Sequence, residues 1–193
     1  MNNNWVSKYK YTHTWFVGSE INQHVLKYVP NNKPNNILEI GCYEGLSSVF
    51  FADNLLNHPN STLTCVDPFM TMENNDHKKF LKNNEEANFD FNISNCNNSE
   101  KISIRKITSD KFFETNDKYF NFIYIDGCHD PDFIIRDMKN SFKYLVKDGI
   151  MWMDDYMGGQ GNQIMNTMHS FLREYQGKYV LFHRRYQLAI KKL

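Results

Sequence analysis

Four short apolar runs, each stopping at a glycine or an aspartate, constrain the fold of this chain more than any other feature. Asn36–Ile40 (NILEI) stops at Gly41, Leu63–Val66 (LTCV) at Asp67, Phe120–Ile125 (FNFIYI) at Asp126, and Ile150–Met153 at Asp154. Short runs rich in branched and aromatic side chains read as buried strands. Helical patterns stand between them. Leu46–Leu56 is one. Another begins at Asp130, a capping residue, with Pro131 in the first turn. Ile134, Ile135, Met138, Phe142 and Leu145 then share one face, and Lys147 and Gly149 mark the expected end. Ile102–Ile107 alternates apolar and polar residues as a half-buried strand does. Asn162–Tyr175 reads as a helix, and Tyr179–Arg184 and Tyr186–Lys191 read as two closing strands.

Repeated strand–helix–strand units predict an α/β fold. The expected architecture is a Rossmann-like, doubly wound, mostly parallel seven-stranded sheet with helices on both faces. The closing strands have no helix between them, so one inserts antiparallel. One domain is expected over 1–193, with an N-terminal arm and helix in 1–35 and the core in 36–193. Between Met70 and Glu100 lies a polar, Asn-rich connection with a helical pattern over Asp76–Ala87.

Composition excludes several classes of partner. Lys+Arg and Asp+Glu both number 22, which speaks against nucleic acid or an anionic membrane as the main partner. No run approaches the roughly 18 apolar residues of a membrane span. The start, MNNNWVSKYK, offers no apolar stretch of the kind a signal peptide needs. Cys42, Cys65, Cys96 and Cys128 are widely spaced, with no CxxC pair, and read as reduced thiols. A cytoplasmic location is expected.

Open α/β sheets bind ligands beyond the carboxyl ends of their strands. The first strand runs into Glu39-Ile40-Gly41-Cys42-Tyr43-Glu44-Gly45. Its glycines allow close backbone approach to a ligand, and they equally serve a tight strand–helix turn. A dinucleotide fingerprint would need a third glycine, and Glu44 at the mouth of the next helix would repel phosphate. Asp67, ending the second strand, can accept hydrogen bonds from both hydroxyls of a ribose. A ribose without phosphate points to an adenosyl group.

At these residues the chain resembles the class I S-adenosylmethionine-dependent methyltransferases, whose first motif is E/DxGxxxG and whose second strand ends in an acid. The resemblance implies that Glu39, Gly41, Cys42, Tyr43 and Gly45 line the methionine and ribose side of the donor. It implies Asp67 on the ribose hydroxyls, Ser109 and Asp110 near the adenine, and Asp126 beside the donor.

Asp126 and Asp154 lie 28 residues apart, at the ends of strands expected to be neighbours. With Asp155 they bring three carboxylates into one cleft, where either a proton or a cation must offset their repulsion. An all-oxygen set suits Mg2+. Singly, each acid also reads as a loop or turn residue. The spacing resembles that of metal-dependent O-methyltransferases. Catechol-type enzymes carry Asp and then Asp-Asn at this separation. Macrocin-type enzymes, which methylate sugar hydroxyls, carry Asp-Asp and are more similar.

The resemblance implies a hydroxyl acceptor on a small molecule, with a sugar or sugar nucleotide ahead of a catechol or phenol. His129, where catechol-type enzymes have a lysine, is the expected base, with Asp126 beside it in the catalytic set. Cys128 departs from the sugar family, which often has an Asp there. His129 also reads as a cofactor contact. A nucleic-acid methyltransferase and a non-catalytic adenosyl-binding protein are the competing classes. The first lacks its Asn/Asp-Pro-Pro-aromatic motif here. The second has no use for concentrated negative charge.

Around the site the readings stay open. Met157-Gly158-Gly159-Gln160-Gly161 reads as a lid or a plain connection. Trp15, Phe16 and Tyr156 read as an acceptor floor or as core. The arm before Ile21 reads as a lid or as the contact of a homodimer.

Overall fold

The computed structural model describes residues 7–70, 84–158 and 162–193. Helix α1 (Glu20–Tyr28) is followed by β1 (Asn36–Ile40), α2 (Leu46–Leu55), β2 (Thr62–Val66), α3 (Glu85–Ser94) and β3 (Ile102–Arg105). Then come α4 (Ser109–Thr115), β4 (Phe120–Ile125), α5 (Pro131–Tyr144), β5 (Leu145–Met153), α6 (Gln163–Glu174), β6 (Tyr179–Arg184) and β7 (Leu188–Lys192). The seven strands form one sheet in the order β3-β2-β1-β4-β5-β7-β6. The first five are parallel, and β7 runs antiparallel between β5 and β6. The expected Rossmann-like architecture is therefore present.

Two hydrophobic layers sandwich the sheet, which is why its central strands carry apolar residues on both faces. On one side Ile37, Leu63, Phe122, Tyr124 and Trp152 pack with α1, α2 and Phe89 of α3. On the other, Leu38, Ile123, Ile125, Met151 and Met153 pack with α4, α5 and α6. Helix α2 is buried nearly all round, including Ser47 and Ser48.

Helix starts follow side-chain capping. Ser19 accepts from Asn22 N, Thr108 from Lys111 N, and Asp130 from Asp132 N. Each satisfies a backbone donor that the helix itself leaves open.

Several boundaries differ from the sequence reading. The last strand is Leu188–Lys192, which leaves Tyr186 and Gln187 in the turn before it. Helix α5 ends at Tyr144, because Leu145 turns extended and pairs with Phe120. Lys192 closes that helix end, its Nζ donating to Phe142 O and Leu145 O at 2.8 and 2.7 Å. Strand β3 stops at Arg105, and Ser109–Thr115 forms the short helix α4. Helix α3 begins at Glu85, so most of the expected Asp76–Ala87 helix lies outside the described residues.

The carboxyl edge of the sheet is built by one repeated device. The residue after each strand donates its N–H to the last carbonyl of a neighbouring strand. Asp67 N bonds Arg105 O, Gly41 N bonds Val66 O, Asp126 N bonds Ile40 O, and Asp154 N bonds Ile125 O, at 3.1, 3.0, 2.8 and 2.9 Å. Four functional candidates thus stand in a row, in the order Asp67, Gly41, Asp126, Asp154. At the usual strand spacing that row is about 14 Å long. The chain winds in opposite directions from β1 and β4, and the crevice between them is the ligand position of this topology.

Candidate functional site

The loop after β1 is shaped by close packing. Gly41 has φ +82, and a Cβ there would lie 2.0 Å from the backbone oxygen of Asp126. Gly45 has φ +79 and abuts the Phe89 ring. Only glycine fits either place. Asp67 holds the loop: its Oδ2 accepts from Cys42 N at 2.8 Å and Tyr43 N at 3.0 Å, and its Oδ1 accepts from Phe69 N at 2.7 Å. Burial raises its pKa, and these three bonds oppose the rise.

Glu39 lies beneath the loop with no exposure. Its carboxylate accepts from Ser47, Ser48 and Cys65, and its thiol neighbours Cys42 and Cys65 are buried with it. Burial pushes its pKa up to about 7 against the pull of those bonds. In this arrangement Glu39 braces the start of α2 from inside.

Glu44 departs from its sequence reading. It is 1% exposed and faces the N-terminal arm, so it is not at the ligand mouth. It accepts from Thr12 N, Thr12 Oγ1 and Asn88 Nδ2 at 2.6, 3.0 and 2.8 Å. Asn92 completes the seam, bonding Lys10 N, Lys10 O and Glu44 O. The arm is thereby tied to the loop. Tyr43, with φ +48, bonds Thr12 and His13 through its hydroxyl and stacks against Trp15 at 5.6 Å. Trp15 is 57% exposed, whereas Phe16 is core and packs on Phe50, Phe51 and Tyr124.

The three carboxylates converge at the ends of β4 and β5. The Tyr124 hydroxyl lies between two of them, 3.2 Å from Asp126 Oδ2 and 2.7 Å from Asp154 Oδ2. Asp154 Oδ1 accepts from Gln187 Nε2 and Asp155 N, both at 2.8 Å. Asp155, with φ +53, reaches His129 Nε2 with Oδ2 at 2.8 Å and accepts from the Tyr186 hydroxyl with Oδ1 at 2.6 Å. One ligand atom from each of Asp126, His129 and Asp155 lies within 4.8 Å of the others. Burial, then the charges of Asp154 and Asp155, hold the Asp126 pKa well above the ordinary carboxylate range. Asp154 is raised too, by burial and then by Asp155.

Ser109 and Asp110 open α4 and face α5. Asp110 forms a forked pair with Arg136, and the next residue of α5, Asp137, is buried with its Oδ1 lacking a hydrogen-bond partner among the described residues. Burial pushes the Asp137 pKa up to about 6. A water-sized cavity of about 20 Å³ separates α5 and α6 from the acids, with Asp126, Cys128, His129, Asp137 and Asp154 in its wall. Tyr156 is core, 2% exposed, its hydroxyl on His169 and Arg184. Of the expected lid, residues 159–161 lie outside the described residues.

Residues 38–156 match the family model described as a methyltransferase domain, a span running from β1 past the last of the three acids. The chain belongs to this family. It is an S-adenosylmethionine-dependent methyltransferase. Solved structures share the fold of the methyltransferase at low identity. One is a Clostridium thermocellum protein described as an rRNA-methylase: TM-score 0.70, 15% identity, 95% of this chain and 98% of that one covered. A second is an O-methyltransferase from Bacillus cereus in complex with SAH: TM-score 0.65, 12% identity, 98% and 87% covered. A third is the O-methyltransferase TomG from Streptomyces achromogenes in complex with SAM: TM-score 0.64, 14% identity, 88% and 77% covered. No curated protein sequence matches the chain. Among the described residues no helix is long and apolar enough to cross a membrane.

Sequence reasoning missed Tyr124, Tyr186 and Gln187 as parts of the site. Tyr124 read as strand core, and it is: only its hydroxyl leaves the core. No sequence signal marks the other two, which act from a hairpin tip.

Proposed function

We propose that the methyltransferase transfers a methyl group to a hydroxyl of a small polyhydroxylated acceptor, a sugar or sugar nucleotide ahead of a catechol, with help from a divalent cation. The observation that carries this reading is the convergence of Asp126, His129 and Asp155 beside the Gly41 loop. Asp126 and Asp154 share a neutral hydroxyl, and no lysine or arginine among the described residues forms an ion pair with either. The two carboxylates of that group, with Asp154 joined to Asp126 through the Tyr124 hydroxyl, fit a hard dication; Asp126, Asp154 and Asp155 would hold it, with Mg2+ the first candidate.

When bound, S-adenosylmethionine would supply the methyl on a sulfonium, and the dication would supply Lewis acidity toward the acceptor hydroxyl. The chain's own residues do the rest. As a carboxylate, Asp155 would accept from His129 Nε2–H and leave the lone pair of the ring on Nδ1. His129 would take the hydroxyl proton there, and the donor would give its methyl carbon to the freed oxygen and leave as the neutral thioether S-adenosylhomocysteine. Gly41, Tyr43 and Asp67 hold the donor's ribose side, and Ser109 and Asp110 its adenine side. Fixing the two reactants at contact distance is the main source of rate.

The even balance of 22 basic and 22 acidic residues favours a small acceptor over an RNA backbone. Calorimetry with S-adenosylhomocysteine, followed by an acceptor screen with and without EDTA, tests the proposal. Turnover of a hydroxylated acceptor that EDTA removes and Mg2+ restores is expected. Turnover indifferent to EDTA would discard the dication, and a protein that binds no S-adenosylhomocysteine would discard the donor site.

A further inference from the structure

Two adjacent residues at the β6–β7 hairpin tip address two adjacent acids. The Tyr186 hydroxyl donates to Asp155 Oδ1 at 2.6 Å, and Gln187 Nε2 donates to Asp154 Oδ1 at 2.8 Å. We infer that Tyr186 and Gln187 are the positioning residues of the Asp154–Asp155 pair, a clamp that sets the orientation in which the two carboxylates take a dication. The inference rests on the cation reading proposed above.

Strand register produces the clamp. Met153 pairs with Leu188 in the antiparallel β5–β7 ladder. One step further along brings Asp154 opposite Gln187, and a second step brings Asp155 opposite Tyr186. Met157 N donates to Tyr186 O at 3.1 Å, so the contact continues past the acids.

The Gln187 amide has only one way to point. Its Oε1 accepts from Ile21 N at 2.7 Å and from Trp152 Nε1 at 2.9 Å. Both partners can only donate, so the oxygen must face them and the NH2 must face Asp154. The residue is 1% exposed, which leaves no room for water to take over. Its backbone N–H donates to Glu20 Oε2 at 2.9 Å, and the same oxygen lies 2.7 Å from His183 Nε2. Gln187 is therefore anchored from α1, β5 and β6 at once, and Asp154 receives a donor of fixed direction.

Tyr186 works from the surface, half exposed, with its phenol drawn onto Asp155. Asp155 sits at φ +53, a conformation that an aspartate keeps only when its surroundings hold it. The Tyr186 and His129 bonds grip the two oxygens of that carboxylate. Hydrogen bonds that orient metal-binding carboxylates typically matter about 10- to 100-fold in affinity or activity.

Two variants separate the clamp from the fold. Tyr186→Phe keeps the ring and removes the donor. Gln187→Glu keeps an oxygen for Ile21 and Trp152 and turns an acceptor toward Asp154. Each is compared with the wild type by thermal melting, by S-adenosylhomocysteine calorimetry, and by Mn2+ titration followed through the spin resonance of free Mn2+. Expected are S-adenosylhomocysteine affinities within about twofold of wild type, with Mn2+ affinity about tenfold weaker in each variant. The acceptor kcat should fall more than its KM rises. Folded variants that bind Mn2+ within twofold of wild type would overturn the clamp alone. A wild type that binds S-adenosylhomocysteine but no Mn2+ would overturn the cation reading and the clamp with it. Should Gln187→Glu fail to fold, Tyr186→Phe decides.

Discussion

Nε2 of His129 lies 2.8 Å from Oδ2 of Asp155, although the two residues sit on loops after different strands. Such a pair orders an imidazole: the carboxylate fixes the tautomer and the ring plane and stabilises the cation formed when the ring takes a proton. It gives a histidine that merely follows a strand the fixed orientation that acid–base chemistry needs. His129→Ala should lower kcat about 100-fold or more, the usual contribution of a positioned base. S-adenosylhomocysteine affinity should hold. A variant within a few-fold of wild type in steady-state methyl transfer would remove His129 from the chemistry.

Gly41→Ala should disable the donor site. The added Cβ would meet backbone, Asp126 O at 2.0 Å and Gly127 Cα at 2.8 Å, with no flexible side chain to yield. The β1 and β4 loops must part, carrying Asp126 with them. Loss of measurable S-adenosylhomocysteine binding and a cost of about 3 kcal/mol or more in urea unfolding are expected. Retained binding would mean that the close approach is dispensable.

Glu39 predicts a pH dependence of stability. Its folded pKa, about 7, lies above the ordinary 4.5, because burial outweighs the Ser47, Ser48 and Cys65 bonds. The folded chain therefore holds a proton that the unfolded chain releases. This contribution is fully present below pH 4.5 and is lost as pH rises through 7. The loss is on the order of 3 kcal/mol. Urea unfolding of wild type and Glu39→Gln at pH 5 and pH 8 isolates it by difference. Wild type should lose more stability than the variant on going to pH 8. Equal losses would refute the assignment.

Asn92→Ala should loosen the N-terminal arm. Asn92 is fully buried and makes three bonds, to Lys10 N, Lys10 O and Glu44 O, at 2.7, 2.8 and 2.8 Å. Removing it leaves the buried Glu44 carbonyl without this donor and frees the Lys10 backbone, at about 2 kcal/mol. Limited proteolysis should then cut within residues 7–18 well before the core. An unchanged cleavage pattern would show that Phe16 packing alone holds the arm.

Much of the fold was legible because strand periodicity and stop residues are local. The runs ending at Gly41, Asp67, Asp126 and Asp154 needed no partner to be seen. Helix α4 was not legible, since the seven residues Ser109–Thr115 barely complete two turns. Leu145 misled because its apolar side chain serves the same core layer whether it ends a helix or begins a strand. Glu44 misled in direction: a charge next to a glycine loop reads as facing a ligand, yet the backbone turns it toward Thr12 and Asn88.

The sequence by itself determined the alternation of elements, the strand ends and the presence of three acids at two of those ends. Only the tertiary structure decided which side chains face one another: His129 toward Asp155, Tyr124 between Asp126 and Asp154, Gln187 toward Asp154. The reason is physical. Periodicity belongs to one segment and is written in its own side chains. A contact across the sheet depends on the register between two strands, and a one-residue slip there would send every side chain to the opposite face.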